Sequence, residues 1–182
     1  MTSDGALLII EDDADVERAA RIALSTQFSR IDALREPAPE LGARLAEASY
    51  EAVLLDMNFV VGERSGAAGL DALSRIHECD ACLSVVLMTA YGGVALAVAA
   101  LKRGATDFIL KPWHNDKLIA AVTAAAERTR ERRAAEAQTL DALERSAIER
   151  ALARAGGNIS LAAQALGISR PALYRRLSKY GL

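Results

Sequence analysis

The stretch ALLIIEDD (residues 6–13) joins a continuous apolar run, Ala6–Ile10, to three consecutive acids. Such a run, without alternation, fits a strand buried on both faces of a parallel sheet. Working outward from it, the chain alternates between two periods. Asp13–Ser25 has helical spacing, with Val16, Ala19, Ala20 and Ala23 on one face. Arg30–Leu34 reads as a short strand and Pro39–Ala48 as a helix with Leu41 and Leu45 inward. Ala52–Leu55 is a second buried strand, followed by a Gly-rich loop and a helix near Ala68–Glu78. Leu83–Met88 is a strand, Val94–Arg103 a helix and Thr106–Leu110 a strand, and a long helix begins near Asn115. Parallel strands need crossovers, and here the crossovers are helices. The fold class expected is therefore α/β, a doubly wound five-stranded parallel sheet.

In such sheets functional groups collect at the carboxyl ends of the strands. Those ends carry Glu11-Asp12-Asp13, Asp56-Met57-Asn58, Thr89-Ala90 and Lys111-Pro112. Carboxylates converging from two adjacent strands repel, and a hard divalent cation such as Mg²⁺ relieves that repulsion. A carboxylate beside it can attack phosphorus to give an acyl phosphate. The Thr89 hydroxyl and the Lys111 ammonium can then donate to phosphoryl oxygens. Solvated loop acids and a surface lysine would suit any one of these residues alone, but not all four strand ends together.

This set, quoted as LLIIEDD (7–13), VLLDMN (53–58), VVLMTAY (85–91) and DFILKPW (107–113), resembles the receiver domain of two-component response regulators over residues 5–126. The resemblance implies a flavodoxin-like receiver in which Glu11 and Asp12 form the metal-binding acidic pair and Asp56 accepts the phosphoryl group. It further implies that Asn58 offers its backbone carbonyl to the metal, together with Asp56. Thr89 and Lys111 would sense the phosphate, Lys111-Pro112 would be a cis peptide, and Phe108 would be the aromatic switch. The implied donor is a sensor histidine kinase and the implied cofactor is Mg²⁺. Residues 59–68 look longer than the usual loop and suit either a lid or partner contact or a neutral surface insertion.

The 182 residues are 52% hydrophobic, 25% charged and 4% aromatic, globular values that exclude a disordered tail protein. No apolar run approaches a membrane span, and no leader is evident at the start, so a cytoplasmic location without membrane contact is expected. The net charge of −2 conceals an asymmetry. Residues 1–126 carry 11 Lys/Arg against 18 Asp/Glu, whereas residues 127–182 carry 11 against 6. The basic rear suggests a second module attracted to a polyanion. Cys79 and Cys82 form a lone CxxC near His77; a structural zinc site needs four ligands, so two reduced thiols are expected.

The organisation expected is a receiver at 1–126, a helical linker at 127–139, either continuous or broken near 134–139, and a helix-turn-helix at 140–182. In the rear module Leu140, Leu143, Ala147, Ile148, Ala151 and Leu152 form an amphipathic stripe that ends at Gly156-Gly157. Ser160 is expected to cap a short helix ending near Leu166. After a turn at Gly167, Ser169 is expected to cap a helix with Pro171 in its first turn. With Leu173 and Leu177 inward, Tyr174, Arg175 and Lys179 point outward, with Ser169 at the cap and Arg170 and Arg176 at the flanks. All six are candidate contacts to double-stranded DNA, Arg175 reading bases and Arg176 neutralising phosphate.

The segment GGNISLAAQALGISRPALYRRL (156–177) resembles the Fis-type helix-turn-helix of NtrC-type regulators. In that family the preceding helix dimerises, which implies a homodimer on inverted half-sites roughly 34 Å apart. The central ATPase of that family has no place in this chain, which lacks a G-x-x-x-x-G-K-[ST] loop. Val94–Leu101 carries no charge, and its face, through Leu96, is a second expected dimer contact. The expected function is a response regulator that is not an enzyme and controls transcription. A signalling adaptor or phosphate sink is the alternative. A Mg²⁺-dependent phosphatase is disfavoured because Asn58, not an acid, lies two residues after Asp56.

Overall fold

The computed structural model describes residues 3–37, 41–58, 66–90 and 94–182, which form two compact units, Met1–Arg132 and Arg133–Leu182. In the first, β1 (Ser3–Ile10), β2 (Phe28–Leu34), β3 (Tyr50–Asp56), β4 (Ser84–Thr89) and β5 (Asp107–Leu110) make one parallel sheet in the order β2-β1-β3-β4-β5. The helices between them are α1 (Ala14–Leu24), α2 (Leu41–Glu47), α3 (Ala67–Cys79) and α4 (Val94–Lys102). The doubly wound α/β sheet expected from the alternating periods is the fold.

The apolar runs of the strands divide by the two-residue period of a pleat. Leu8, Ile10, Val53, Leu55, Val85 and Leu87 face one layer, packed by Leu41 of α2, by Leu70, Leu73 and Ile76 of α3, and by Ala100 of α4. Leu7, Ile9, Ala52, Leu54, Val86 and Met88 face the other, against Ala20 and Leu24 of α1 and Leu118, Ala121, Val122 and Ala125. The last four belong to α5, a single helix from Asn115 to Arg154, so the linker question resolves to the continuous form.

α5 continues to pack on the sheet beyond Ala126. Thr129 is fully buried; its hydroxyl accepts from the Ser84 amide at 2.9 Å and donates to the Ala125 carbonyl at 3.2 Å. Arg130 pairs with Glu51 at 2.7 Å. Together these hold the helix to the starts of β3 and β4.

Leu96 departs from expectation. It packs against the α3 side of the core, whereas Val98, Leu101 and Leu110 are the exposed apolar residues of this region. An alanine-rich helix has no polar stripe to set its rotation, and the tight fit beside Gly66 decides it: a Cβ there would lie 2.9 Å from Leu96 Cδ1. Leu96→Asp would therefore disturb the core.

In the second unit, the rest of α5 packs with α6 (Ile159–Ala165) and α7 (Arg170–Tyr180) around Ile148, Ala151, Ala162, Ala163, Leu173 and Leu177. Gly156, Gly157 and Gly167 take the left-handed conformation that turns the chain. Ser169 caps α7 by accepting from the Ala172 amide at 3.3 Å, with Pro171 in the first turn. The cap of α6 is Asn158, not Ser160: its side chain accepts from the amides of Ser160 (3.0 Å) and Leu161 (3.2 Å). Asn is as good a cap as Ser, and here it lies one residue before the helix starts. Among the described residues, no helix is long and apolar enough to cross a membrane.

Candidate functional site

Strand register assembles the first site. Ile10 pairs with Leu55, which sets Glu11 beside Asp56 at the next residue of each strand. Asp56 pairs with Met88, which brings Thr89 alongside, and Thr89 pairs with Leu110, which delivers Lys111. Four chemically distinct side chains thus meet at one edge because four strands end in step.

Glu11 and Asp56 are buried, at 2% and 3% exposure, whereas Asp12 is open to solvent. Carboxylate oxygens of the three lie within 4.8 Å of one another, an arrangement able to hold a metal ion. Asp13, the third acid of the run, is spent on capping α1, where it accepts from the Asp15 amide at 2.9 Å and the Val16 amide at 3.2 Å. Lys111 Nζ donates to Glu11 Oε2 at 2.6 Å and lies 2.9 Å from Asp56 Oδ1. The latter is an ion pair without hydrogen-bond alignment, so Asp56 Oδ1 stays without a hydrogen-bond donor. Burial pushes the Glu11 carboxyl up to about 7, with Asp56 adding repulsion and Lys111 opposing both. One ammonium faces three carboxylates, an excess of negative charge that suits a hard cation with oxygen ligands.

Thr89 is fully buried, and its hydroxyl accepts from Asn58 Nδ2 at 3.1 Å. The Asn58 backbone N–H donates to Asp56 Oδ2 at 3.2 Å. The resemblance pointed to the Asn58 backbone carbonyl; its side chain's hold on Thr89 was missed, since sequence spacing says nothing of a contact between residues 31 apart. Phe108 is half-buried against the core on the α4 side, and the Lys111-Pro112 peptide is cis. Residues 59–65, most of the long loop, lie outside the described residues. Cys79 and Cys82 form no disulfide, and Glu11, Asp12 and Asp56 are the one metal-competent group found among the described residues.

A match to the response regulator receiver domain spans residues 7–123. The chain belongs to this family. A second match, to the bacterial regulatory proteins of the Fis family, covers residues 139–180, so this response regulator carries a Fis-type helix-turn-helix behind its receiver. Only residues 124–138 separate the two matches, which leaves no ATPase domain between them. The receiver is similar to the C4-dicarboxylate transport transcriptional regulatory protein DctD of Pseudomonas aeruginosa, 33% identical over 66% of this chain and 25% of that protein. It is also similar to the transcriptional regulatory protein FixJ of Bradyrhizobium diazoefficiens, 30% identical over 69% of this chain and 58% of that one. The response regulator therefore spans less than two thirds of either relative. Among solved structures, the N-terminal signal receiver domain of a response regulator from Bacteroides fragilis is 40% identical, with a TM-score of 0.60, covering 68% of this chain and 98% of that one.

The response regulator's second unit presents α7 as its basic helix. Arg170, Tyr174 and Arg175 are exposed, and neither arginine makes an ion pair with a described residue. Arg176 and Lys179 are differently placed. Arg176 Nε donates to Glu144 Oε1 at 2.6 Å, and Lys179 Nζ to Asp141 Oδ1 at 2.8 Å. Helical rotation put both cations on or beside the outer face, but it could not show that acids more than thirty residues earlier meet them. Ser169 is present in the helix start as its cap, with its hydroxyl already engaged.

Proposed function

We propose that this response regulator is a phosphorylation-controlled, DNA-binding transcription regulator, cytoplasmic and homodimeric, with no enzymatic activity on outside substrates. The observation that carries the reading is the meeting of Asp56, Glu11, Asp12 and Lys111 at one sheet edge in a chain that ends in a Fis-type motif. Asp56 is the phosphoacceptor: a carboxylate oxygen attacks the phosphorus of a phosphohistidine on a sensor kinase. The P–N bond breaks with its electron pair left on the imidazole, and an acyl phosphate forms.

Glu11, Asp12 and Asp56 would hold Mg²⁺, with the Asn58 carbonyl completing the protein ligands. The orphaned oxygen of Asp56 and the oxygen-only donor set fit that ion. When bound, it supplies charge neutralisation for the incoming phosphoryl group. Lys111 is already within 2.9 Å of the acceptor and donates to a phosphoryl oxygen. Phosphorylation adds about −1.5 to −2 of charge and strong acceptors. The Thr89 hydroxyl turns to them and gives up its bond to Asn58, and Phe108 moves into the space released.

On DNA, Arg170, Tyr174 and Arg175 form the contact face of α7, with Arg175 placed to pair with guanine. Leu140 and Leu143 of α5, two of the apolar side chains exposed on the unit, supply the homodimer contact. In the receiver, Val98 and Leu101, not Leu96, are free for a second one.

Trp113, the only tryptophan, shares the open cavity of Glu11, Asp12, Asp56 and Lys111. Its fluorescence is expected to change when Mg²⁺ and beryllofluoride are added together, and to stay constant in Asp56→Asn. An unresponsive wild-type chain, or an equal response in the variant, contradicts the reading.

A further inference from the structure

The cations of α7 stand on two footings. Arg170 and Arg175 face solvent without an acidic partner among the described residues, whereas Arg176 and Lys179 are matched to Glu144 and Asp141 of α5. The match is built in pairs. Asp141 and Glu144 are three residues apart on one helix, and Arg176 and Lys179 three apart on the other, so each pair lies on a single face. They meet as two rungs, at 2.8 Å and 2.6 Å. Tyr180 ties the rungs together: its hydroxyl donates to Glu144 and accepts from Lys179 Nζ at 2.9 Å. The Arg176 guanidinium also reaches the Ala172 carbonyl at 3.4 Å. Bonds from both Tyr180 and Arg176 hold the Glu144 carboxyl below its ordinary range.

An isolated exposed ion pair is weak and would yield to a phosphate. This network differs because Arg176 and Glu144 are each about two-thirds covered and Glu144 is held from a second side. Transfer of either cation to DNA would also leave an uncompensated carboxylate near the phosphate backbone.

We propose that Asp141 and Glu144 are specificity-determining residues of the DNA-binding unit. They occupy Arg176 and Lys179 as internal substitutes for phosphate, suppress attraction to duplexes of arbitrary sequence, and leave discrimination to Arg170, Tyr174 and Arg175. The proposal rests on the reading of α7 as a DNA-contacting helix. Its basis is that affinity for arbitrary sequence is set by the number of phosphates neutralised, each contributing about 0.9 to the slope of log K against log salt.

The test is binding of the full chain to a fluorescent random-sequence duplex across a salt series. Asp141→Asn/Glu144→Gln is compared with the wild type and with Glu127→Gln/Glu131→Gln, which removes the same charge from exposed positions. The Asn and Gln side chains keep acceptors for Tyr180, and circular dichroism checks the fold; Glu144→Gln alone serves if the double variant melts early. The expected result is tighter binding at low salt with a slope steeper by about 1 to 2, one phosphate for each cation released, and a clearly smaller change in the control pair. An unchanged slope, weaker binding, or an equal shift in the control overturns the proposal alone. Absence of duplex binding by both the wild type and the variant at every salt overturns the DNA reading as well.

Discussion

Lys111→Met is expected to destabilise the receiver unit by about 3–5 kcal/mol at pH 8 in metal-free buffer, and by clearly less at pH 5. Lys111 is the only cation paired with Glu11 and Asp56 among the described residues, and both carboxylates are almost wholly buried. Removing it leaves two like charges facing each other in a poorly solvated site. Methionine keeps the length and apolar stem, so lost packing contributes little. The pH dependence follows from Glu11, whose carboxyl is pushed by burial from 4.5 to about 7. The folded chain then holds that proton more tightly than the unfolded chain does. Glu11 therefore favours folding fully below about pH 4.5, and that contribution is lost as the pH rises through about 7. Over this interval the loss is on the order of 3 kcal/mol in the wild type. Without Lys111 the carboxyl rises further, and protonation at pH 5 rescues the fold. Urea titration at the two pH values reads the difference. Equal destabilisation at both would show that the charge pair is not what Lys111 provides.

Leu173→Ala is expected to unfold the second unit while leaving the receiver intact. Leu173 is fully buried in a core whose other members are two larger aliphatics on the helices, Ile148 and Leu177, and three alanines. Truncating a buried leucine costs about 2–5 kcal/mol. A unit of about fifty residues has roughly 3–7 kcal/mol to lose at ordinary stability per residue. The variant should lose helical signal and duplex binding together, become open to proteolysis beyond Arg133, and still take up phosphoryl groups on Asp56. Retained duplex binding would mean that Leu173 does not hold the second unit together, and loss of both functions at once that the two units do not fold separately.

Much of the receiver was legible because two independent signals coincided. The apolar runs marked buried strands, and the residue after each run was chemically unusual in a way that only convergence explains. The pairing of Ile10 with Leu55 and of Thr89 with Leu110 then turns residue order into a site. Where one signal stood alone, the reading was incomplete. Val94–Leu101 has no polar stripe, so nothing in it distinguished Leu96, which faces the core, from Leu101, which does not. Asp13 stands beside Glu11 and Asp12 in the sequence, but the helix that starts after it takes its side chain as a cap. Thr129 sat unnoticed in a charged run, and its only signal was its phase, four residues after buried Ala125. The engagement of Arg176 and Lys179 was out of reach. Period gives the face of a helix but not the acids that another helix brings to it.

The most direct measurement is the intact mass of the protein after incubation with Mg²⁺ and a small-molecule phosphodonor, with the labile group located by borohydride reduction and peptide mapping. One acid-labile phosphoryl group on Asp56, absent in Asp56→Asn and absent when the divalent ion is chelated, is the expected result. A wild-type chain that gains no such mass, or gains it at another side chain, contradicts the assignment of Asp56 as phosphoacceptor and leaves the helix-turn-helix without its switch.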